Sequence, residues 1–173
     1  MDAVTAWPAF DVERTSVRVV LRDDLGRVLL FRTIDPTMPE LGEWWELPGG
    51  GVETDESYAE TASREIAEET GFLVAPQEFG PASWRRDSTY VRRHTRVWQH
   101  EVVVAAHVPG LAPVPAAGGR TPEELDDYLD HRWWPIDELA AAATTRFFPS
   151  RLPHLLGDFL DGVEIDEPFD EWN

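Results

Sequence analysis

Apolar and β-branched residues alternate in part along residues 15–22, TSVRVVLR, and this pattern predicts a strand. The turn-forming DDLGR follows, and VLLFR (28–32) predicts the returning strand of a hairpin. From 33 to 55 the pattern breaks, with Pro36, Pro39, Pro48 and glycines 42, 49, 50 and 51 shaping a long loop around a short WWEL segment. Loops of this length inside a compact domain are usually functional. Residues Glu56 to Thr70 predict a helix, with Thr54 or Asp55 as N-cap and Gly71 just past its end. Two more strands are expected at 79–91 and 95–108, joined near Arg92–His94, and then a second loop rich in Pro and Gly. HRWW (131–134) predicts a short strand, Pro135 the first position of a helix through Ala143, and 150–160 another helix. Antiparallel hairpins mixed with helices, without regular βαβ units, favour an α+β fold over a doubly wound one. A single domain over 15–160 is expected, preceded by a lead-in segment at 1–14 and followed by an acidic tail at 161–173, at the surface or frayed.

Composition sharpens this picture more by exclusion than by assignment. At 173 residues, 42% hydrophobic and with eight Trp, the chain holds enough apolar mass for one core. It contains no cysteine, which rules out disulfides and thiolate metal sites. The first residues show neither a basic segment nor an apolar run of signal-peptide length, and VVVAA at 102–106 is far too short to span a bilayer. A soluble cytoplasmic protein is therefore expected. The net charge of −18 argues against nucleic acid or an anionic membrane as partner, since both call for a basic face. An anionic small molecule would also be repelled unless cations intervene.

Part of that charge sits in an unusual place. REIAEETG (64–71) puts Glu65, Glu68 and Glu69 at i, i+3 and i+4 of the predicted helix, where like charges cost roughly 0.2–0.5 kcal/mol per pair. They occupy a stripe about 100° wide, beside a face of Ala59, Ala62, Ile66 and Thr70 small enough to sit close against a sheet. Three carboxylates within one turn suit a hard divalent cation such as Mg²⁺, which would turn the repulsion into attraction. On the helix alone, a solvated acidic face explains EIAEE equally well.

The surrounding spacing separates those alternatives. From Gly50 the chain reads GGVETDESYAETASREIAEETGF, with five residues between Gly50 and Glu56, seven between Glu56 and Arg64, then REIAEETGF, and WELPGG leads in. This run resembles, at every fixed position, the signature of the Nudix hydrolase family. The resemblance implies an α/β/α sandwich around a mixed, largely antiparallel sheet. It implies a pyrophosphohydrolase that cleaves a nucleoside diphosphate linked to another moiety, by water attack at phosphorus with Mg²⁺ or Mn²⁺. By position, Glu65, Glu68 and Glu69 would be metal carboxylates, one of them doubling as general base, and Gly49 would add a backbone carbonyl. Glu56 and Arg64 would form a supporting pair, which their separation allows only if a loop approaches the helix start. The family often recruits a later acid, for which Glu124 in TPEELDD is the candidate; a capped turn with Thr121 as N-cap is the competing reading. Family members are often homodimers, so a homodimer is a possible state.

The far end of the substrate is less legible. ADP-ribose-type relatives tend to carry a Pro about 15 residues beyond the box, and RDST (86–89) has none. Relatives acting on diadenosine polyphosphates tend to carry a Tyr near that distance, and Tyr90 stands in the region. Arg18, Arg32, Arg85 and Arg86 are candidate phosphate contacts. Trp45 is the candidate for stacking on a base, although core packing of Trp44, Trp45, Trp133 and Trp134 competes with that role. The five histidines show no metal-ligand spacing. A catalytically silent nucleotide-binding regulator is the alternative, but such a module would not need all three carboxylates.

Overall fold

Alternation along the first long strand sorts the core into two halves. The computed structural model describes residues 9–116 and 118–173; residues 1–8 of the expected lead-in lie outside them. In β1 (Val12–Arg22), Val17, Val19 and Leu21 join one apolar cluster while Val20 joins the other. The same division runs through β2 (Val28–Ile34), with Leu29 and Phe31 on one side and Val28 and Leu30 on the other. Both faces of these strands are buried, which is why TSVRVVLR alternates only in part.

The first cluster is closed by α1 (Tyr58–Thr70) through Ala62 and Ile66. The second is closed by α3 (Ile136–Ala141) and α4 (Leu152–Leu160) through Leu139, Leu152, Leu156 and Phe159. Helices therefore lie on both sides of one mixed sheet, an α+β sandwich of the kind the sequence predicts.

Among the described residues, ten strands form that sheet. Besides β1 and β2 they are β3 (Glu43–Glu46), β4 (Gly49–Gly51), β5 (Trp84–Arg92), β6 (Thr95–His107), β7 (Tyr128–Trp134), β8 (Phe147–Phe148), β9 (Ile165–Asp166) and β10 (Asp170–Glu171). The main path runs β10-β5-β6-β1-β2-β3-β8, with β4 beside β1, β7 beside β2 and β9 beside β5. Its longest ladder is the parallel pairing of β1 with β6, from Val12 opposite Val97 to Arg22 opposite His107. No sequence pattern announces that pairing, because the two strands are distant in the chain. The WWEL segment expected inside a loop supplies β3, and the glycines after it supply β4.

Helix boundaries differ from expectation for local reasons. α1 begins at Tyr58, not Glu56, and its N-cap is Ser57 rather than Thr54 or Asp55. The Ser57 side chain accepts from the Glu60 N–H, and the Glu60 carboxylate accepts in return from the Ser57 N–H at 2.8 Å. This reciprocal box satisfies two orphan donors at once, whereas Asp55 has φ 68°, outside cap geometry. Pro135 is extended and caps α3 rather than opening it.

The acidic tail is not frayed. β9 and β10 add in parallel to the β5 edge, and Asn173 exchanges side-chain hydrogen bonds with Val91 N–H and C=O. Trp172 packs edge-on against Trp44 and Phe148, with ring centroids at 5.1 and 5.3 Å. No helix among the described residues is long and apolar enough to cross a membrane.

Candidate active site

β4 brings the backbone against the acidic helix. Ser16, Val17 and Arg18 of β1 pair with Gly51, Gly50 and Gly49. Gly49 has φ 136°, and a Cβ on it would lie 2.1 Å from the Val17 carbonyl oxygen, so only glycine fits. A Cβ on Gly50 would lie 2.4 Å from Glu65 Oε1. The Gly49 N–H donates to Glu69 Oε2 at 2.8 Å. Two backbone positions thus touch two of the three carboxylates in the α1 stripe.

Arg64 organises the rest of the helix start. Its Nε and Nη2 donate to the two oxygens of Glu56 at 2.8 and 2.9 Å, and Nη2 also reaches the Gly51 carbonyl at 2.9 Å. Its Nη1 donates to Glu65 Oε1 at 2.8 Å and to Glu68 Oε2 at 3.3 Å. The residues Ser57 onward coil back so that Glu56 meets Arg64 eight positions later. The Arg64 fork, first of all, holds the Glu56 carboxyl down at about 2, with Thr61 and the Glu53 N–H helping.

Glu65 and Glu69 are in the opposite condition. Burial pushes the Glu65 carboxyl up, Arg64 opposes the shift, and the charges of Glu68 and Glu124 add to it. Burial also pushes Glu69 up, to about 8, reinforced by Glu65 and only partly offset by the Gly49 N–H and Arg18. Both line a cavity of about 120 Å³ together with Gly49, Gly50, Glu46 and Glu124. At these two carboxylates, burial and the neighbouring acids outweigh the positive charge that reaches them from Arg64 and Arg18.

The donor set fits a hard divalent cation. It is all oxygen, comes from carboxylates and lies beside the carbonyl-bearing Gly49–Gly51 strand. The raised proton affinity of Glu65 and Glu69 marks a site that favours any added cation, proton or metal. Among the described residues, no three acidic or histidine side chains already converge on one point. Arg64 accounts for part of this, since it draws an oxygen of Glu65 and of Glu68 toward itself.

The other predicted residues divide cleanly. Glu124 lines the cavity, and it is also the third residue of a capping box with Thr121 at the start of α2 (Pro122–Asp127). The two readings of TPEE are therefore compatible. Tyr90 lines the cavity as well, with its hydroxyl donated to Gln99 at 3.1 Å. Glu68 is turned to Arg64 and is not part of the lining. Arg32 and Trp45 stand opposite each other in the β2–β3 ladder and lie outside the lining. Their chain neighbours Thr33 and Glu46 face the cavity, so strand alternation turns Arg32 and Trp45 to the other side. Trp45 packs on Trp134 at 5.3 Å, and Arg32 pairs with Glu43 at 3.6 Å. Of the remaining arginine candidates, only Arg18 lines the cavity; Arg85 is exposed on β5 and Arg86 is buried.

Several contributors have no signature in the sequence. Glu101 is fully buried and accepts from Ser16 at 3.1 Å, Arg18 Nε at 3.0 Å and Arg86 Nη1 at 2.9 Å, and also from Gln99. The Arg18 and Arg86 charges keep its carboxyl low against the effect of burial. Through Glu101, Arg18 is fixed beside Glu69 and Glu46. Asp127 is taken by Arg92 and Arg93 together. The hint in the sequence is that Gln99 and Glu101 alternate with His100 just before the apolar run VVVAA, and nothing local says what they bind.

Comparison with known proteins bears on the family and the fold. The family model described as NUDIX domain matches residues 12–155. The chain is 32% identical over 122 residues, 70% of its length, to a CMP-5'-(N-acetyl-N-hydroxy-3-aminopropyl)phosphonate hydrolase of Streptomyces rubellomurinus. It is 40% identical over 65 residues, 38% of its length, to an RNA pyrophosphohydrolase of Dinoroseobacter shibae. These matches span 52% and 38% of the two relatives' own lengths. Among solved structures, a MutT protein from Methanosarcina mazei Go1 superposes with TM-score 0.55 at 22% identity, covering 78% of this chain and 86% of that one. A C. elegans Ap4A hydrolase complex gives TM-score 0.55 at 16% identity, covering 86% and 98%. The structural likenesses speak for the fold alone.

Proposed function

The chain belongs to the NUDIX domain family, and from that footing we propose that it is a divalent-metal-dependent pyrophosphohydrolase. Its substrate is a nucleoside diphosphate linked to another moiety, cleaved at the phosphoanhydride by water. The observation that carries this reading is the cavity in which Glu65 and Glu69, both pushed up by burial, meet the Gly49–Gly50 backbone. The names of two relatives, an RNA pyrophosphohydrolase and a CMP-phosphonate hydrolase, support a nucleotide-linked substrate.

Each residue has a task that follows from its surroundings. Glu65 and Glu69 would hold Mg²⁺ or Mn²⁺, with Glu124 as a further acid and the Gly49 carbonyl as a neutral oxygen donor. The bound ion would supply charge neutralisation for the polyphosphate and acidify water. Glu56 keeps Arg64 in place, so Arg64 can steady the Glu65 and Glu68 carboxylates without itself moving. Glu69 has a carboxyl near 8 before any cation enters, so it can exchange a proton near neutral pH. Arg18, anchored by Glu101 and the Leu47 carbonyl, contributes fixed positive charge next to the acids.

A panel of nucleoside diphosphate derivatives, dinucleoside polyphosphates, nucleoside triphosphates and triphosphorylated RNA should be offered with Mg²⁺ and with Mn²⁺ at mildly alkaline pH. Products separated by chromatography identify the phosphorus attacked. Turnover that stops with EDTA is expected, and absence of turnover across the panel would overturn the proposal.

A further inference from the structure

Four arginines line the cavity, and two of them are already committed. Arg18 is held by Glu101, and Arg92 by Asp127. Arg14 makes no ion pair among the described residues, but it is only half-buried, so water screens its charge. Arg120 is different: it is 9% exposed, makes no ion pair among the described residues, and its buried Nη1 finds no acceptor. The acids nearest in sequence are engaged elsewhere, Glu124 with the Thr121 N–H and Asp127 with Arg92 and Arg93. A buried cation left unpaired in a protein of net charge −18 requires a compensating partner.

Two features hold this guanidinium where it is. Its Cζ lies 3.8 Å from the Tyr128 ring centroid and 4.5 Å from that of Phe31, so aromatic faces stabilise the charge and fix its plane. The segment before it is laced to α1: Ala116 N–H donates to the Thr70 carbonyl at 2.7 Å, and Gly119 N–H to the Glu68 carbonyl at 3.2 Å. A Cβ on Gly119 would lie 2.7 Å from Glu68 Cα, so the approach depends on glycine. Arg120 is therefore registered to the same helix that carries Glu65 and Glu69.

We propose that Arg120 binds a phosphate group of the substrate's polyphosphate chain and sets its position relative to Glu65 and Glu69. A planar guanidinium matches phosphate oxygens in a bidentate fork, and desolvation before binding makes each bond stronger. The inference rests on the proposed hydrolase function for substrate identity, though not for the anion chemistry.

The test uses Arg120→Gln and Arg120→Lys in the full chain, with inorganic tripolyphosphate and Mg²⁺ as the probe in calorimetry. Arg120→Gln should weaken tripolyphosphate binding by about 10- to 100-fold and raise KM by a similar factor, with a much smaller change in kcat. Arg120→Lys keeps the charge without the fork and should recover part of both losses. It also keeps the test open if the Gln variant fails to fold. Unchanged affinity and KM in a variant with a native thermal melt would overturn the inference, as would a wild-type protein that does not bind tripolyphosphate. Arg120-dependent binding without turnover of any panel substrate would leave the inference standing and sink the hydrolase reading instead.

Discussion

Replacing Glu69 by Gln should make the metal-free protein more stable while destroying its activity. The Glu69 carboxyl stands at about 8, against an ordinary 4.5, because burial and the Glu65 charge outweigh the Gly49 N–H and Arg18. Between those two values the folded protein holds a proton that the unfolded chain has lost. Unfolding then releases protons, so stability is full below pH 4.5 and declines as pH rises toward 8. The full shift would correspond to about 5 kcal/mol; because Glu69 keeps some contact with water, screening brings the expected penalty to about 1–2 kcal/mol. Gln removes the titration but keeps an oxygen for the Gly49 N–H. In EDTA at pH 8, Glu69→Gln should therefore melt about 2–6 °C above wild type, with the gap closing toward pH 5. Adding Mg²⁺ should raise the wild-type melt through binding to the folded state and leave the variant nearly unmoved. Turnover should fall by at least about 100-fold. Melts followed by circular dichroism from pH 5 to 9, with EDTA and with Mg²⁺, check all of this. A variant no more stable than wild type at pH 8 in EDTA, or a gap that does not vary with pH, would refute the electrostatic account.

Four further perturbations separate structure from chemistry. Glu56→Gln loses the charged partner of the Arg64 fork and should cost about 1 kcal/mol in denaturant melts near neutral pH. Because the Glu56 carboxyl is depressed to about 2, that contribution exists above pH 4.5 and fades as pH falls toward 2, so wild type and variant should converge in acid. Gly49→Ala meets the Val17 carbonyl at 2.1 Å with φ 136° and should destabilise by about 2 kcal/mol or more. Gly50→Ala meets only the flexible end of Glu65, so about 1 kcal/mol or less is expected in stability but a loss of activity of about 100-fold or more. Trp172→Ala should cost about 2 kcal/mol by urea denaturation, since its ring is part-buried against Trp44 and Phe148 and its Nε1 donates to the Phe147 carbonyl. A neutral result there would mean that the tail does not hold the β5 edge.

How much of the site is legible in the chain follows from the range of each interaction. The acidic stripe is local: helix period and the Glu56–Arg64 spacing are enough to bring those groups together. Even there, Arg64 claims Glu68, so equal spacing on a helix does not mean equal access to the cavity. Strand residues are half-legible. Alternation tells that Arg32 and Thr33 face opposite ways, as do Trp45 and Glu46, but not which way the cavity lies; Arg32 and Trp45, the predicted substrate contacts, are the members that turn away. The cations are least legible of all. Arg18 meets Glu101 across 83 positions, through the parallel β1–β6 ladder that no local pattern announces. Arg120 sits in a Pro- and Gly-rich loop that resembles any linker until its amides dock on the C-terminal half of α1. Carboxylates that bind a cation can cluster on one element, since the ion relieves their repulsion. Cations serving the same cavity must come from other elements, because next to those acids they would simply form ion pairs, as Arg64 does. An acidic site therefore announces its metal ligands in sequence and conceals the groups that receive its anion.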